Sequence, residues 1–204
     1  MKHVLIASIA AIAVTTTTMP AFAAPKVGAP APAFSGETSA GETISLTDFA
    51  GQNVVLEWTN DGCPFVQKHY DSGNMQATQT AVNDADGVWI SIISSAPGKQ
   101  GHADAARAQM LTDSRNASPD FVILDQSGEI GRAYAAKTTP HMFVIDGEGV
   151  LKYAGAIDDN PSADPSTIEG ATNFALAAFQ SVAAGEEVET KSTKPYGCSV
   201  KYGS

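Results

Sequence analysis

Two cysteines, Cys63 and Cys198, are the residues of this chain best suited to covalent chemistry. Cys63 follows the apolar run Val54-Val55-Leu56 and precedes Pro64, within Trp58-Thr-Asn-Asp-Gly-Cys-Pro-Phe-Val66. Pro64 suits the first position of a helix, where no backbone N–H is needed. Cys63 then falls at or beside the N-cap, where unpaired N–H groups and the positive end of the helix favour a thiolate. This context describes a nucleophilic sulfur in a solvent-facing loop rather than a packed one. A thiolate attacks a disulfide sulfur or a peroxide oxygen, giving a mixed disulfide or a sulfenic acid that a second thiol must resolve. Cys198 is the one internal candidate for that second thiol. Three arrangements stay open: a resolving partner, a permanent staple between the two, or a Cys198 that pairs with nothing or with another chain.

Other polar residues carry weaker signals. Pro140, after Thr139 and ahead of an apolar run, is either an ordinary strand-entry proline or part of a cis peptide bond. Lys68, His69 and His141 could place positive charge or a proton near the sulfur. Lys68 and His69 lie beyond the first helical turn, however, and read as a solvated or packed face. Trp58 reads as core. Cys63, His69, His141 and Asp158-Asp159 lack the spacing of a zinc or copper site, so neither a metal nor a cofactor is expected. Asp158-Asp159-Asn160-Pro161 reads as a turn near the mouth of the site. Pro97-Gly-Lys-Gln-Gly101 lacks the Gly-Lys-Ser/Thr ending of a phosphate loop.

These residues must be positioned by the elements around them. Ile44–Leu46, Val54–Trp58, Gly87–Ile93 and Phe121–Leu124 read as strands, with the second and third buried. Met142–Ile145 and Val150–Tyr153 flank Asp146-Gly-Glu-Gly149, a hairpin signal. Helices are expected from Pro64 to about Asn83, from Ala103 to about Leu111 and from Ile130 to Ala136. A last helix is expected from Ser166 or Thr167, where Ser166-Thr-Ile-Glu169 has capping-box spacing and Ile168, Ala171, Ala175, Phe179 and Val182 share a face. Strands alternating with helices, then a hairpin and a helix, predict an α/β fold with a central mixed β-sheet flanked by helices on both faces. With a cysteine ending the first central strand, the pattern resembles the thioredoxin architecture.

Residues 1–23 read as a secretory signal: Lys2 and His3, the apolar stretch Val4–Val14, and Ala21-Phe-Ala23 as the cleavage site. Residues 24–204 are then expected as one exported domain, periplasmic or secreted, where disulfides are permitted. No stretch is long enough to span a bilayer, so no membrane association is expected after cleavage. Loss of Lys2 takes the formal charge from −10 to −11. So acidic a chain, without a Lys/Arg run, is a poor partner for nucleic acid or anionic membranes.

Val27-Gly-Ala-Pro-Ala-Pro-Ala-Phe34, Gly41, Ile44-Ser-Leu46 and Phe49-Ala-Gly51 resemble the opening of redoxins, the alkyl hydroperoxide reductase and thiol-specific antioxidant proteins. Asn60-Asp-Gly-Cys-Pro-Phe-Val66, Lys137-Thr-Thr-Pro-His141, Gly155–Pro161 and Tyr196-Gly-Cys-Ser-Val-Lys201 resemble a peroxiredoxin-like branch of that family. The resemblance implies a thioredoxin-like fold, Cys63 as redox centre with Cys198, and Asn60, Gly62, Pro64, Thr139 and Pro140 as supporting residues. It also implies a cis Pro140, beside an edge that pairs with substrate backbone. Two parent patterns are incomplete. Peroxiredoxins carry Pro-x-x-x-Thr/Ser-x-x-Cys and an arginine just before the strand that here follows Thr139-Pro140; the matching positions of the motif are Leu56 and Asn60, and no arginine stands just before Met142–Ile145. Thioredoxins carry Cys-x-x-Cys, and position 66 is Val. The expected activity is therefore thiol–disulfide exchange, with a protein or small-molecule thiol/disulfide substrate approaching along Thr139-Pro140 and an external thiol reductant. Reduction of hydroperoxides, and a non-catalytic module with a structural disulfide, are the alternatives.

Overall fold

The structure is a computed structural model and describes residues 24–203, so the expected leader lies outside the described residues. In chain order, β1 (Ser35–Glu37) and β2 (Thr43–Ser45) form a short antiparallel pair, and a 3-10 turn over Leu46–Phe49 follows. Then come β3 (Val54–Trp58), α1 (Pro64–Asp71), α2 (Asn74–Asn83), β4 (Val88–Ile93), α3 (Ala105–Ser114) and β5 (Phe121–Leu124). The chain continues through α4 (Glu129–Ala133), β6 (Thr138–Thr139), β7 (His141–Ile145), β8 (Leu151–Gly155), α5 (Phe174–Ala183) and β9 (Cys198–Ser199).

The main sheet has the order β5-β4-β3-β7-β8. β4 runs parallel to β3 and β5, whereas β7 runs antiparallel to β3 and β8. Every residue of β3, β4 and β7 is buried, which explains their near-continuous apolar runs. Alternation sends Val54, Leu56 and Trp58 to one face, against Phe34, Ile130 and Tyr134. Val55 goes to the other, with Trp89, Val144, Val66 of α1, Met75 and Val82 of α2, and Phe179 of α5. Helices thus cover both faces of a mixed sheet, as expected.

Two helices differ from their sequence reading. The helix expected over 64–83 breaks at Ser72-Gly73, where Gly73 takes φ +77°, a left-handed conformation that costs glycine little, and starts α2 afresh. The last helix begins at Phe174 instead of Ser166. Pro165–Ile168 is a 3-10 turn whose first free N–H goes to Asp164, Gly170 turns the chain at φ +80°, and Asn173 accepts from Leu176 N at 2.9 Å. Ile168 and Ala171 fall outside the helix, while Ala175 and Phe179 are buried as the periodicity requires. Among the described residues, no helix is long and apolar enough to cross a membrane.

Candidate active site

β3 delivers the chain to a tight loop that ends in Cys63. Within it, the Asn60 carbonyl accepts from Cys63 N at 3.1 Å, and Asn60 Oδ1 accepts from Gly62 N at 2.9 Å. Gln100 Nε2 donates to the Gly62 carbonyl at 2.8 Å, and Asn60 Nδ2 to the Gln100 carbonyl at 3.3 Å. A Cβ on Gly62 would press into the Gln100 side chain. Asn60 and Gly62 therefore shape the loop rather than face the sulfur. Pro64 occupies the first helical position of α1 and Cys63 is its N-cap, in extended conformation.

The second half of the site is the Thr139-Pro140 loop. The Thr139–Pro140 bond is cis. Cys63 Sγ donates to the Thr139 carbonyl at 3.0 Å. β6 pairs antiparallel with β9, placing Thr139 opposite Cys198 and Thr138 opposite Ser199. The structure thus brings together Cys63, Thr139, Pro140 and Cys198; the need for a second thiol suggests Cys198 beside Cys63 from sequence, and the family resemblance adds Thr139 and Pro140. Both cysteines are thiols.

Burial alone would push the Cys63 thiol up. Hydrogen bonding from the Cys198 side chain and backbone, from Val66 N–H and from the Thr139 side chain outweighs it and holds Cys63 below the ordinary thiol value. Cys198 moves the opposite way, up to about 11, through burial, its hydrogen bond to Cys63 and the charge on Cys63. The pair is thus divided into a thiolate former and a thiol that donates to it.

Cys63 does not face solvent. Its exposure is 0 %, and Tyr196 and Cys198 pack against its cluster. The expected approach of substrate along Thr139-Pro140 is likewise closed, because β9 occupies that edge. A local sequence reading cannot see a cover supplied by residues 135 positions away.

Sequence reasoning also missed a buried polar cluster beneath the cover. Lys68, at 1 % exposure, donates to Asp158 Oδ2 at 3.2 Å and to the Asn160 carbonyl at 2.9 Å. Tyr196 donates its hydroxyl proton to Asp158 Oδ1, and His69 Nε2 lies 3.1 Å from the same hydroxyl. Asn74 Nδ2 donates to His69 Nδ1 at 2.8 Å, which leaves the His69 proton on Nε2, pointing at Tyr196. Burial keeps His69 neutral, down to about 4, against the pull of Asp158. Tyr196 is raised by burial and by its bond to Asp158. The turn expected over residues 158–161 therefore supplies the counter-charge of Lys68.

His141 lies in the core, its ring centroid 4.4 Å from that of Phe143, and burial together with the charge of Lys137 lowers it to about 3. Trp58 is fully buried and donates to Ser94 Oγ at 3.0 Å. Glu57, carried by β3 among apolar neighbours, accepts from Tyr70, Trp89 and Ser91 at 2.9–3.1 Å, and burial raises its carboxyl.

A family model, Redoxin, matches residues 26–171. No curated protein matches the chain. Solved structures do. A hypothetical protein of Sinorhizobium meliloti superposes with TM-score 0.73 at 20% identity, over 89% of this chain and 97% of that one. An uncharacterized conserved protein of Geobacillus kaustophilus gives 0.71 at 20% identity, over 92% and 98%. A putative thiol:disulfide interchange protein of Chlorobium tepidum gives 0.52 at 21% identity, over 64% and 85%. These likenesses show the fold, which is thioredoxin-like.

Proposed function

The chain belongs to the Redoxin family, and we propose that it is an exported thiol oxidoreductase whose Cys63 and Cys198 cycle between dithiol and disulfide. The observation that carries this reading is the strand pairing that sets Cys198 opposite Thr139, within reach of Cys63. In the oxidised form, an external thiolate attacks the sulfur of Cys198, the more exposed of the two. The Cys63–Cys198 bond breaks, and Cys63 leaves with the electron pair, as the thiol of lower pKa should. A second external thiolate attacks the mixed disulfide, releases the external disulfide and leaves Cys198 reduced. A substrate disulfide is reduced through the other sulfur: the Cys63 thiolate attacks it, one substrate sulfur leaves as a thiolate, and Cys198 then attacks Cys63, releasing the second substrate thiolate and re-forming the Cys63–Cys198 bond. The leader-like start supports a role in an oxidising compartment.

Disulfide exchange is favoured over peroxide reduction by the surroundings of Cys63. Peroxide activation needs oriented donors in the transition state. Here the position of the peroxiredoxin hydroxyl is taken by Asn60, whose amide is committed to Gly62 and Gln100. The test is a thiol count with intact mass after equilibration in dithiothreitol redox buffers. We expect loss of both thiols and of two hydrogens, abolished in Cys63→Ser and in Cys198→Ser. A wild-type chain that keeps both thiols under oxidising buffer would overturn the reading. Fast loss of thiols to one equivalent of hydrogen peroxide would instead favour the peroxidase.

A further inference from the structure

Residues 184–197, between α5 and β9, contain neither helix nor strand. They are pinned at Thr193, whose Oγ1 accepts from Ala156 N at 2.8 Å and meets Tyr153 Oη at 2.6 Å. From Lys194 to Gly203 the chain lies as a strap over the site. Tyr196 reaches Asp158 and His69, its ring 5.7 Å from that of Phe65. Gly197 takes φ +126°, and a Cβ there would collide with the Thr139 carbonyl. Beyond β9, Val200 N donates to the Lys137 carbonyl at 3.1 Å and Ala96 N to the Lys201 carbonyl at 2.9 Å. Tyr202 sits under Arg132, 4.8 Å from its guanidinium carbon, in a seat that a Cβ on Gly128 or Gly131 would fill.

We propose that this strap is the chain's own ligand in a peptide groove, and that the external partner of the groove is an extended cysteine-bearing peptide with tyrosine two residues before the cysteine. The inference rests on the thiol-exchange reading above. Its first support is the pairing itself. β6 and β9 meet over two residues by backbone, a mode that any extended peptide can reproduce, with side-chain seats supplying selectivity. The second is the seat beside it. Phe65, His69 and Asp158 receive a ring with a hydroxyl that donates, which phenylalanine or alanine would leave unmet. The third is where the parts lie in the chain. Every groove residue named, from Cys63 to Asp158, falls within the family-matched residues 26–171, whereas the strap falls outside them. The groove is therefore carried by the family-matched residues and its occupant is not.

Exchange with such a peptide follows once the strap is displaced. Cys63 thiolate attacks the peptide cysteine of a mixed disulfide, the new S–S bond forms, and the other sulfur leaves as a thiolate with the electron pair. Cys198 thiolate, returning with the strap, attacks Cys63 and releases the peptide thiolate, leaving the Cys63–Cys198 disulfide.

The experiment uses the full chain carrying Cys198→Ser, so that Cys63 is the sole thiol. The probe is the peptide acetyl-Tyr-Gly-Cys-Ser-Val-amide, with its cysteine joined to thionitrobenzoate, whose release is read by absorbance. With the strap seated, release should be slow. Adding Gly197→Ala, which forces a Cβ onto Thr139 in a backbone conformation suited to glycine, should raise the rate about tenfold or more. Tyr202→Ala should raise it too, from the far end of the strap and without touching the groove. In either variant, replacing the peptide tyrosine with alanine should slow release about fivefold. Circular dichroism melts exclude a variant that has unfolded, and either variant alone suffices. Equal rates with the strap seated and unseated, or equal rates for the two peptides, would overturn the proposal. Because the assay needs no Cys63–Cys198 disulfide, such a result would leave the dithiol cycle standing. Absence of that disulfide in the wild-type chain would in turn leave this readout intact.

Discussion

Oxidation of the Cys63–Cys198 pair should stabilise the fold substantially, and the size follows from the chain path. The two cysteines are 135 residues apart in sequence yet share one hydrogen-bonded contact. Closing a loop of that length removes unfolded-state entropy equivalent to about 5 kcal/mol at 25 °C. This is an upper value for two reasons. The hydrogen bonds that favour the Cys63 thiolate stabilise the reduced chain, and native-state adjustment around the new bond subtracts further. A net gain of about 2–4 kcal/mol is expected. With a urea dependence of about 2 kcal/mol per molar, the unfolding midpoint of the oxidised chain should lie about 1–2 M above that of the reduced chain. The assay is urea unfolding followed by tryptophan fluorescence, on chains held oxidised or fully reduced. Cys198→Ser should show no difference between the two conditions. A wild-type shift near zero would refute the reasoning, because it would mean that the strap does not hold Cys198 against Cys63 in solution.

Three further outcomes are expected. Thiolate absorbance of the reduced chain should rise in two steps, one below the ordinary thiol value for Cys63 and one near 11 for Cys198. In Cys198→Ala the Cys63 step should move up, since the Cys198 side chain supplies the largest of its stabilising hydrogen bonds; an unmoved step would mean that the backbone donors and the helix start suffice to lower it. His141 stays neutral in the fold down to about 3 but binds a proton near 6.5 once unfolded, so the unfolded chain holds more protons between those values. Stability should therefore fall as pH drops through that window, by about 1 kcal/mol per pH unit from this residue, and His141→Asn should flatten the dependence measured by urea titration. Lys68→Ala should lower stability by about 3–5 kcal/mol, since it strands Asp158 in a buried site; a loss under about 1 kcal/mol would show that water reaches the cluster.

What could be read from sequence was what local backbone chemistry decides. Pro64 after Cys63 fixed the helix start, and the apolar runs around Leu56, Ile90 and Val144 identified the buried strands. Gly73 and Gly170 were not recognised as breaks, because a single glycine inside a helical pattern does not declare whether it takes positive φ. Asp158 read as a turn residue and Lys68 as part of a helix face, since nothing nearby in sequence reveals that the two meet in the interior. Glu57 was passed over inside a strand read as apolar, although a carboxylate in such a run signals a private set of donors. That the tail bearing Cys198 can fold back over the site is open from sequence, but that it buries Cys63 is not. That cover depends on Gly197 approaching Thr139 and on Tyr202 finding Gly128 and Gly131, contacts between distant residues of unremarkable type.

The position of the strap after every strand of the main sheet also sets an order of events during biosynthesis. The chain emerges from its N-terminus at about 5–20 residues per second. β3, β4, β5, β7 and β8 are all complete by Gly155, well before Cys198 is made. A nascent chain can therefore assemble its sheet and present Cys63 at the start of α1 while Tyr196 and Cys198 do not yet shield it. During that interval the sulfur is open to capture by whatever oxidant or folding factor is at hand, and the arrival of Tyr196 and Cys198 ends it.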